Sequence, residues 1–182
     1  MSVITDEYRA LQQRMHETKH QYGGANVRVY GPVVLEGVEL YNAQSVLDYG
    51  AGKGHFGEFL FVNGFKGDYR PYDPAVPWWS SPPQPSDFVI CLDVLEHVEP
   101  ECLESVLLDL RRCLIKGGLF IVHTREAKKS LPDGRNAHLT IQPPEWWAKR
   151  IGEHFVIRKQ NESLGKHDLE MLAAIFSVEP LP

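Results

Sequence analysis

The sequence contains no run of about 20 apolar residues, so it offers no membrane-spanning helix. Its start, MSVITDEYRALQQRMHETKH, lacks a basic stretch followed by an apolar core, and no secretory signal is expected there. Cysteine is scarce: Cys91, Cys102 and Cys113 form an odd set with no C-x-x-C pair. This argues against a disulfide framework or a cysteine zinc site, and implies a reduced, cytoplasmic protein with its cysteines in the core or on helix faces. An excess of positive charge is also missing. At a net charge of −5, general binding to nucleic-acid phosphates is not the default reading. Apolar residues are not short. With 43% hydrophobic and 24% charged residues, the 182-residue chain has the composition of one folded domain rather than a disordered segment.

The charge is distributed unevenly. Residues 36–110 carry 3 basic and 13 acidic residues, whereas 111–160 carry 11 basic and 4 acidic. Such asymmetry can guide an anionic substrate to one side of a molecule, or can simply be a polarised surface.

Apolar spacing predicts a helix over 3–20, ended by Gly23-Gly24, and a second helix opening at Pro32. Strands are expected at Ser45–Tyr49, 66–73, Asp87–Leu92, Leu119–Val122, Phe155–Lys159 and Leu169–Val178. Helices are expected over 55–63, from Pro100 until Gly117-Gly118, and over 144–154 around Trp146-Trp147. Residues 74–86 hold five prolines and exclude a regular helix or central strand. Residues 125–143 read as a polar loop. Short apolar strands alternating with helices imply an α/β fold with a mostly parallel sheet, helices on both faces, and a ligand beyond the carboxyl ends of the strands.

The most informative stretch is Val46-Leu47-Asp48-Tyr49-Gly50-Ala51-Gly52-Lys53-Gly54. Glycines there let the chain turn sharply from strand to helix and let a ligand approach the backbone. Asp73 ends the next strand, where a carboxylate can accept hydrogen bonds from both ribose hydroxyls. Gly52-x-Gly54-x-x-Gly57 also fits a dinucleotide fingerprint. Its register is poor, however, and a carboxylate at Asp48 would repel a pyrophosphate but suit a ligand bearing an ammonium group.

Asp48-Tyr49-Gly50-Ala51-Gly52-Lys53-Gly54 resembles motif I, D-x-G-x-G-x-G, of the class I S-adenosylmethionine-dependent methyltransferases. Asp73 falls where that family places its ribose-binding acid. Ser86 to Val98, with its D-V-L-E-H portion, is similar to the family's fourth-strand motif, and Leu114 to Ile121 to the approach to its fifth strand. The resemblance covers about residues 32–178. It implies a Rossmann-like doubly wound sheet with a C-terminal antiparallel hairpin, S-adenosyl-L-methionine as cofactor, and cofactor contacts from Asp48, Tyr49, Gly50, Ala51, Gly52, Gly54, Asp73, Pro74, Leu92 and Asp93. Residues 1–30 would be an N-terminal helical extension or a lid carrying His16, His20 and Tyr22, and residues 31–182 the methyltransferase domain.

The sequence departs from that pattern between its second and fourth family strands. Thirteen residues with five prolines cannot supply a helix, a strand and another helix, so a six-stranded sheet lacking the edge third strand is expected. The acid that usually meets the adenine amino group is lost with it. Trp78 and Trp79 either stack on the purine in its place or cap the core under the proline loop.

Candidate catalytic residues are His123, directly after a strand, and His97. Asp93-x-x-Glu96-His97 resembles the E-x-x-E-H metal motif of quinone-biosynthesis O-methyltransferases and of small-RNA 3′-terminal 2′-O-methyltransferases, with His138 placed to complete a site. Asp93, Glu96, His97 and His138 would suit Mg²⁺, Mn²⁺ or Co²⁺. Alternatively, Glu96 serves a helix start and His97 is a hydrogen-bonded near-core residue. Arg125, Lys128, Lys129 and Arg135 can meet an anionic acceptor or form a solvated loop.

The sequence thus predicts methyl transfer to a hydroxyl or other heteroatom of a small-molecule or anionic acceptor such as a sugar, with an RNA end less favoured. No membrane partner is expected, and the chain is expected as monomer or homodimer. Two other readings are a non-catalytic adenosyl-ligand-binding regulatory or accessory protein, and, behind it, an NAD(P)-dependent oxidoreductase.

Overall fold

The computed structural model describes residues 2–18, 22–23, 27–164 and 172–182. His20, Gly24 and residues 169–171, which figure in the sequence expectations, lie outside them. The elements are helices α1 (Asp6–Thr18), α2 (Val27–Leu40), α3 (His55–Val62), α4 (Leu103–Cys113) and α5 (Pro144–Gly152) and strands β1 (Ser45–Tyr49), β2 (Asp68–Tyr72), β3 (Ser86–Leu92), β4 (Leu114–His123), β5 (Phe155–Leu164) and β6 (Leu172–Pro180). Short 3₁₀ turns occupy Pro77–Trp79 and Leu95–His97.

The strands form one sheet in the order β2-β1-β3-β4-β6-β5. The first four are parallel, and β6 runs antiparallel to both β4 and β5. This is the expected Rossmann-like six-stranded sheet with a closing hairpin. The proline-rich segment leaves β2 at the edge. No helix among the described residues is long and apolar enough to cross a membrane.

Alternation along each strand sends neighbouring side chains to opposite faces. Val46, Phe88 and Ile90 pack against Val34 and Val38 of α2 and Phe56 and Leu60 of α3. Leu47, Val89, Cys91 and Phe120 pack against Leu107 and Leu110 of α4 and Trp147 and Ile151 of α5. Both faces are therefore covered, and the carboxyl ends of the parallel strands are left for a ligand. A third apolar cluster, Ile4, Tyr8, Met15 and Tyr22 with Leu131 and Ala137, fastens α1 to the loop after β4.

Several expected boundaries move. Helix α2 starts at Val27, not Pro32, which sits inside it. Pro32 removes one helical donor, but Tyr30, Val34 and Val38 are buried on the sheet and hold the helix on both sides of it. The division expected between residues 30 and 31 therefore falls within a helix. Gly117-Gly118 do not end α4: the chain enters β4 directly at Leu114, and both glycines lie in the strand. A Cβ on Gly117 would sit 2.4 Å from the Tyr41 ring, and one on Gly118 2.8 Å from the Val89 carbonyl. Close packing, not helix termination, explains them. Strand β5 runs five residues beyond its expected end at Lys159 because it pairs with β6 as far as Leu164.

Candidate active site

After Tyr49 the chain turns through Gly50 to Gly54 into α3. Gly50 has φ 83°, and a Cβ there would lie 2.4 Å from Val94; Gly52 has φ 52°, and a Cβ there would lie 2.4 Å from the Gly23 carbonyl oxygen. Both positions need glycine for handedness and for room. The N–H groups of this loop are satisfied inside the protein. Gly50 and Ala51 donate to the Tyr72 carbonyl (2.8 and 2.9 Å), Gly52 to Asp73 Oδ2 (3.0 Å), Lys53 to the Gly23 carbonyl (2.8 Å) and Gly54 to the Ala51 carbonyl (2.8 Å). A pyrophosphate cradle requires such donors to be free.

Asp73 follows β2. Its Oδ1 accepts the Ala75 N–H (2.9 Å), so each carboxylate oxygen retains one lone pair after its backbone donor. Tyr49, Gly50, Gly52, Asp73 and Pro74 line one end of a cavity of about 400 Å³, a size typical of small-ligand sites. Leu92, Asp93, His97, His123 and His138 line the other. The two halves of the sequence motif set thus converge on one space.

Asp48, Ala51, Gly54 and Glu96 are not on the cavity wall. Asp48 is buried on β1, where its Oδ2 accepts the Tyr69 hydroxyl of the neighbouring strand (2.6 Å). Burial pushes its carboxyl up to about 7, against the pull of the Tyr69 hydrogen bond, with Asp73 adding to the rise. Trp78 and Trp79 do not reach the cavity: Trp78 is 77% exposed, and Trp79 packs on Gly54, where a Cβ would meet its ring at 2.6 Å.

At the far end, Asp93 adopts φ 57°, a left-handed conformation uncommon for a residue with a side chain. Its Oδ1 is 3.0 Å from His123 Nε2 and 3.5 Å from the Tyr30 hydroxyl. Glu96, fully buried, accepts the His123 backbone N–H on Oε1 (3.1 Å), while its Oε2 has no partner. His97 Nδ1 donates to the Ala137 carbonyl (2.7 Å) and His138 Nδ1 to the Arg125 carbonyl (2.5 Å). Both rings thereby leave Nε2 for another partner.

Burial, with Asp93 nearby, raises the Glu96 carboxyl to about 8. Burial and His138 lower His97 to about 4, and burial also lowers His138. Burial alone would lower His123 too, but its hydrogen bond and charge interaction with Asp93, and Glu96 behind, raise it instead.

The four residues named from the sequence as metal ligands do not form one set. Ligand atoms of Glu96, His97 and His138 lie within 4.8 Å of one another, and so do those of Asp93, Glu96 and His123. Glu96 is shared, and His123 replaces the other two histidines as the partner of Asp93.

The roof comes from the N-terminal segment. The Tyr22 hydroxyl donates to Gln12 Oε1 (2.6 Å), Gln12 Nε2 to the Tyr8 hydroxyl (2.5 Å), and the Tyr8 hydroxyl to the His97 carbonyl (2.7 Å). Thr5 adds two bonds to the Glu99 carboxylate (2.9 and 2.6 Å). Sequence reasoning missed Tyr8, Gln12 and Glu99, which line the cavity, and Tyr69, the partner of Asp48. Their roles depend on strand register and helix docking, which no local motif announces. Arg125, Lys128 and Lys129 line the cavity beside this roof, so the acidic and basic halves of the sequence face one space.

The chain belongs to the methyltransferase-domain family, whose pattern matches residues 9–166. No curated protein matches it in sequence. Among solved structures it is similar to the Burkholderia thailandensis 1,6-didemethyltoxoflavin-N1-methyltransferase, determined with 1,6-didemethyltoxoflavin and S-adenosylhomocysteine. That match has a TM-score of 0.69 at 15% identity and covers 97% of this chain and 90% of the other. The N-methyltransferase NodS from Bradyrhizobium japonicum, in complex with S-adenosylhomocysteine, matches with a TM-score of 0.61 at 13% identity, over 98% of this chain and 100% of that one. The methyltransferase domain of bacterial CtHen1-CN matches at 0.62 and 15%, over 86% and 100%.

Proposed function

We propose that the protein transfers a methyl group from S-adenosylmethionine to a hydroxyl or other heteroatom of a small acceptor that carries negative charge. The observation that carries this reading is one cavity joining the glycine loop and Asp73 at one end to the Asp93–His123 pair at the other. The internally satisfied loop N–H groups favour an adenosyl ligand over a dinucleotide, which would need them for its pyrophosphate. S-adenosylhomocysteine in two structural neighbours supports the same cofactor.

When bound, the cofactor supplies a methyl group already activated on a positively charged sulfur, so alignment provides much of the catalysis. In this reading Gly50 and Gly52 give the methionine end its close backbone approach, and Asp73 accepts the ribose hydroxyls on its remaining lone pairs. The Asp93–His123 pair takes the proton from an acceptor hydroxyl, with Glu96 fixing the backbone of His123. His97, lowered to about 4, is the poorer base. Arg125, Lys128 and Lys129, which line the cavity, meet the negative charge of the acceptor.

The donor set also favours a divalent cation, Mg²⁺, Mn²⁺ or Co²⁺. Two imidazoles have their Nδ1 atoms fixed by carbonyls, and the buried Glu96 Oε2 has no partner. Glu96, His97 and His138 would hold the ion, which would orient an acceptor oxygen and lower its pKa.

Calorimetric titration with S-adenosylhomocysteine tests the cofactor. Micromolar binding by wild type, lost in Asp73→Ala, is expected, and an acceptor screen with and without Mn²⁺ follows. No binding by wild type, with NADH binding instead, would overturn the reading. Binding without methyl transfer to any acceptor would indicate an adenosyl-sensing protein.

A further inference from the structure

We propose that His16, on helix α1, is a second ribose-recognition residue, clamping one ribose hydroxyl against Asp73 from the roof of the cavity. The inference rests on the reading of the Gly50–Asp73 end as an adenosyl site. His16 lines the cavity together with Gly23, Gly52 and Asp73. Its ring packs so closely on Gly23 that a Cβ there would sit 2.5 Å from it, and Tyr22 braces it edge-on at 5.2 Å between centroids. The imidazole is therefore held in place.

Its two nitrogens have different surroundings. Nδ1 is buried and has no partner, whereas Nε2 points to Asp73 Oδ2 at 3.8 Å. Burial lowers the pKa of His16, more than the charge of Asp73 restores, which leaves the ring neutral with a single N–H. That hydrogen belongs on Nε2, facing the carboxylate, rather than on Nδ1, which has no acceptor beside it.

A gap of 3.8 Å is too long for a direct hydrogen bond. It suits one oxygen atom placed to the side, within about 2.8 Å of both groups. That oxygen must accept from Nε2–H and donate to a carboxylate that only accepts. Among neutral ligand groups a hydroxyl does both. Asp73 Oδ2 already takes the Gly52 N–H and has one lone pair left for it, while Oδ1 has one for the second hydroxyl of a vicinal diol. The pair thus selects a ribose over a deoxyribose at one position. It also makes α1 part of the ligand site rather than a cover alone.

The test is a binding cycle read by calorimetry. S-adenosylhomocysteine and its 2′-deoxy and 3′-deoxy analogues are titrated into wild type, His16→Leu and His16→Gln. Wild type should bind one deoxy analogue about 3- to 10-fold more weakly for the lost His16 bond, beyond what Asp73 contributes. His16→Leu should bind the parent ligand weaker by a similar factor and lose that part of the discrimination. His16→Gln, which retains an N–H donor, should recover part of both. Unaltered discrimination in His16→Leu, or parent affinity within twofold of wild type, would overturn the clamp while leaving the cofactor reading intact. Failure of wild type to bind S-adenosylhomocysteine would sink the cofactor reading and the clamp with it. If His16→Leu does not fold, as judged by its thermal transition, His16→Asn and His16→Gln complete the cycle. Wild-type affinity with wild-type discrimination in Asn, whose shorter side chain cannot reach, would count against the clamp.

Discussion

The Tyr8 hydroxyl donates to the backbone carbonyl of His97, 89 residues further along the chain, at 2.7 Å. This bond ties the first helix to the turn that carries Glu96 and His97, and Gln12 extends it to Tyr22. Docking of the roof and the shape of the acceptor end are thereby linked. Tyr8→Phe should cost about 1–3 kcal/mol of stability, because it removes two hydrogen bonds and leaves the Gln12 amide and the His97 carbonyl without their partner. Gln12→Leu should cost a similar amount, because it takes one hydrogen bond from each of Tyr8 and Tyr22. Hydrogen exchange should rise in residues 6–18 in both variants and stay unchanged in β1 and β3. Uniform loosening would show that the roof is not a separate unit.

Asp48 makes stability depend on pH. Its folded pKa of about 7 stands above the ordinary value of 3.8, so between these values the folded chain holds a proton that the unfolded chain releases. Stability should therefore fall as pH rises from about 4 to 7 and level off above, by up to about 4 kcal/mol from this group. Asp48→Asn should reduce the slope in that window, leaving the part that Glu96 contributes, while keeping a partner for Tyr69. Denaturant midpoints from pH 4 to 8 check this, and an unchanged slope in the variant would refute it.

Asp93 combines a left-handed backbone with a bond to the site histidine. Asp93→Gly relieves the first and removes the second. Its stability should stay within about 1 kcal/mol of wild type. Methyl transfer should fall by at least about 100-fold, as for loss of a general acid–base group. Near-normal turnover with an identified acceptor would remove Asp93 and His123 from the proton path.

For the cation, Mn²⁺ should bind wild type at micromolar levels and raise the thermal midpoint, by about 2.7 kcal/mol of stabilisation at 100 times Kd. His138→Ala should lose most of this shift. His123→Ala should keep it if Glu96, His97 and His138 are the ligands, and lose it if Asp93, Glu96 and His123 are.

Much of this fold was legible in the chain because its signals are local. The apolar runs of β1 and β3 end in glycine or in charge, and five prolines between 74 and 86 leave no room for another strand. Other features depended on neighbours. Gly117-Gly118 carry the signature of a helix end, yet Tyr41 and the Val89 carbonyl decide their place. Asp48 reads as a ligand residue from the motif, but nothing local shows that β2 brings Tyr69 across to it. The cavity's acid–imidazole pair exists because β3 and β4 are parallel neighbours, with Leu92 opposite Ile121, which sets Asp93 beside His123. Spacing along the sequence places neither pairing.

The shortened side of the sheet has a consequence for how the molecule meets other copies of itself. An uncovered strand invites another chain to extend the sheet. Here that strand is only five residues long, contains Pro71 with no hydrogen to offer, and bears the charged pair Asp68 and Arg70. Arg70 also reaches across to the Pro85 carbonyl (2.6 Å), strapping the proline run beside the rim. The rim of the sheet at β2 thus offers another chain few groups to template on.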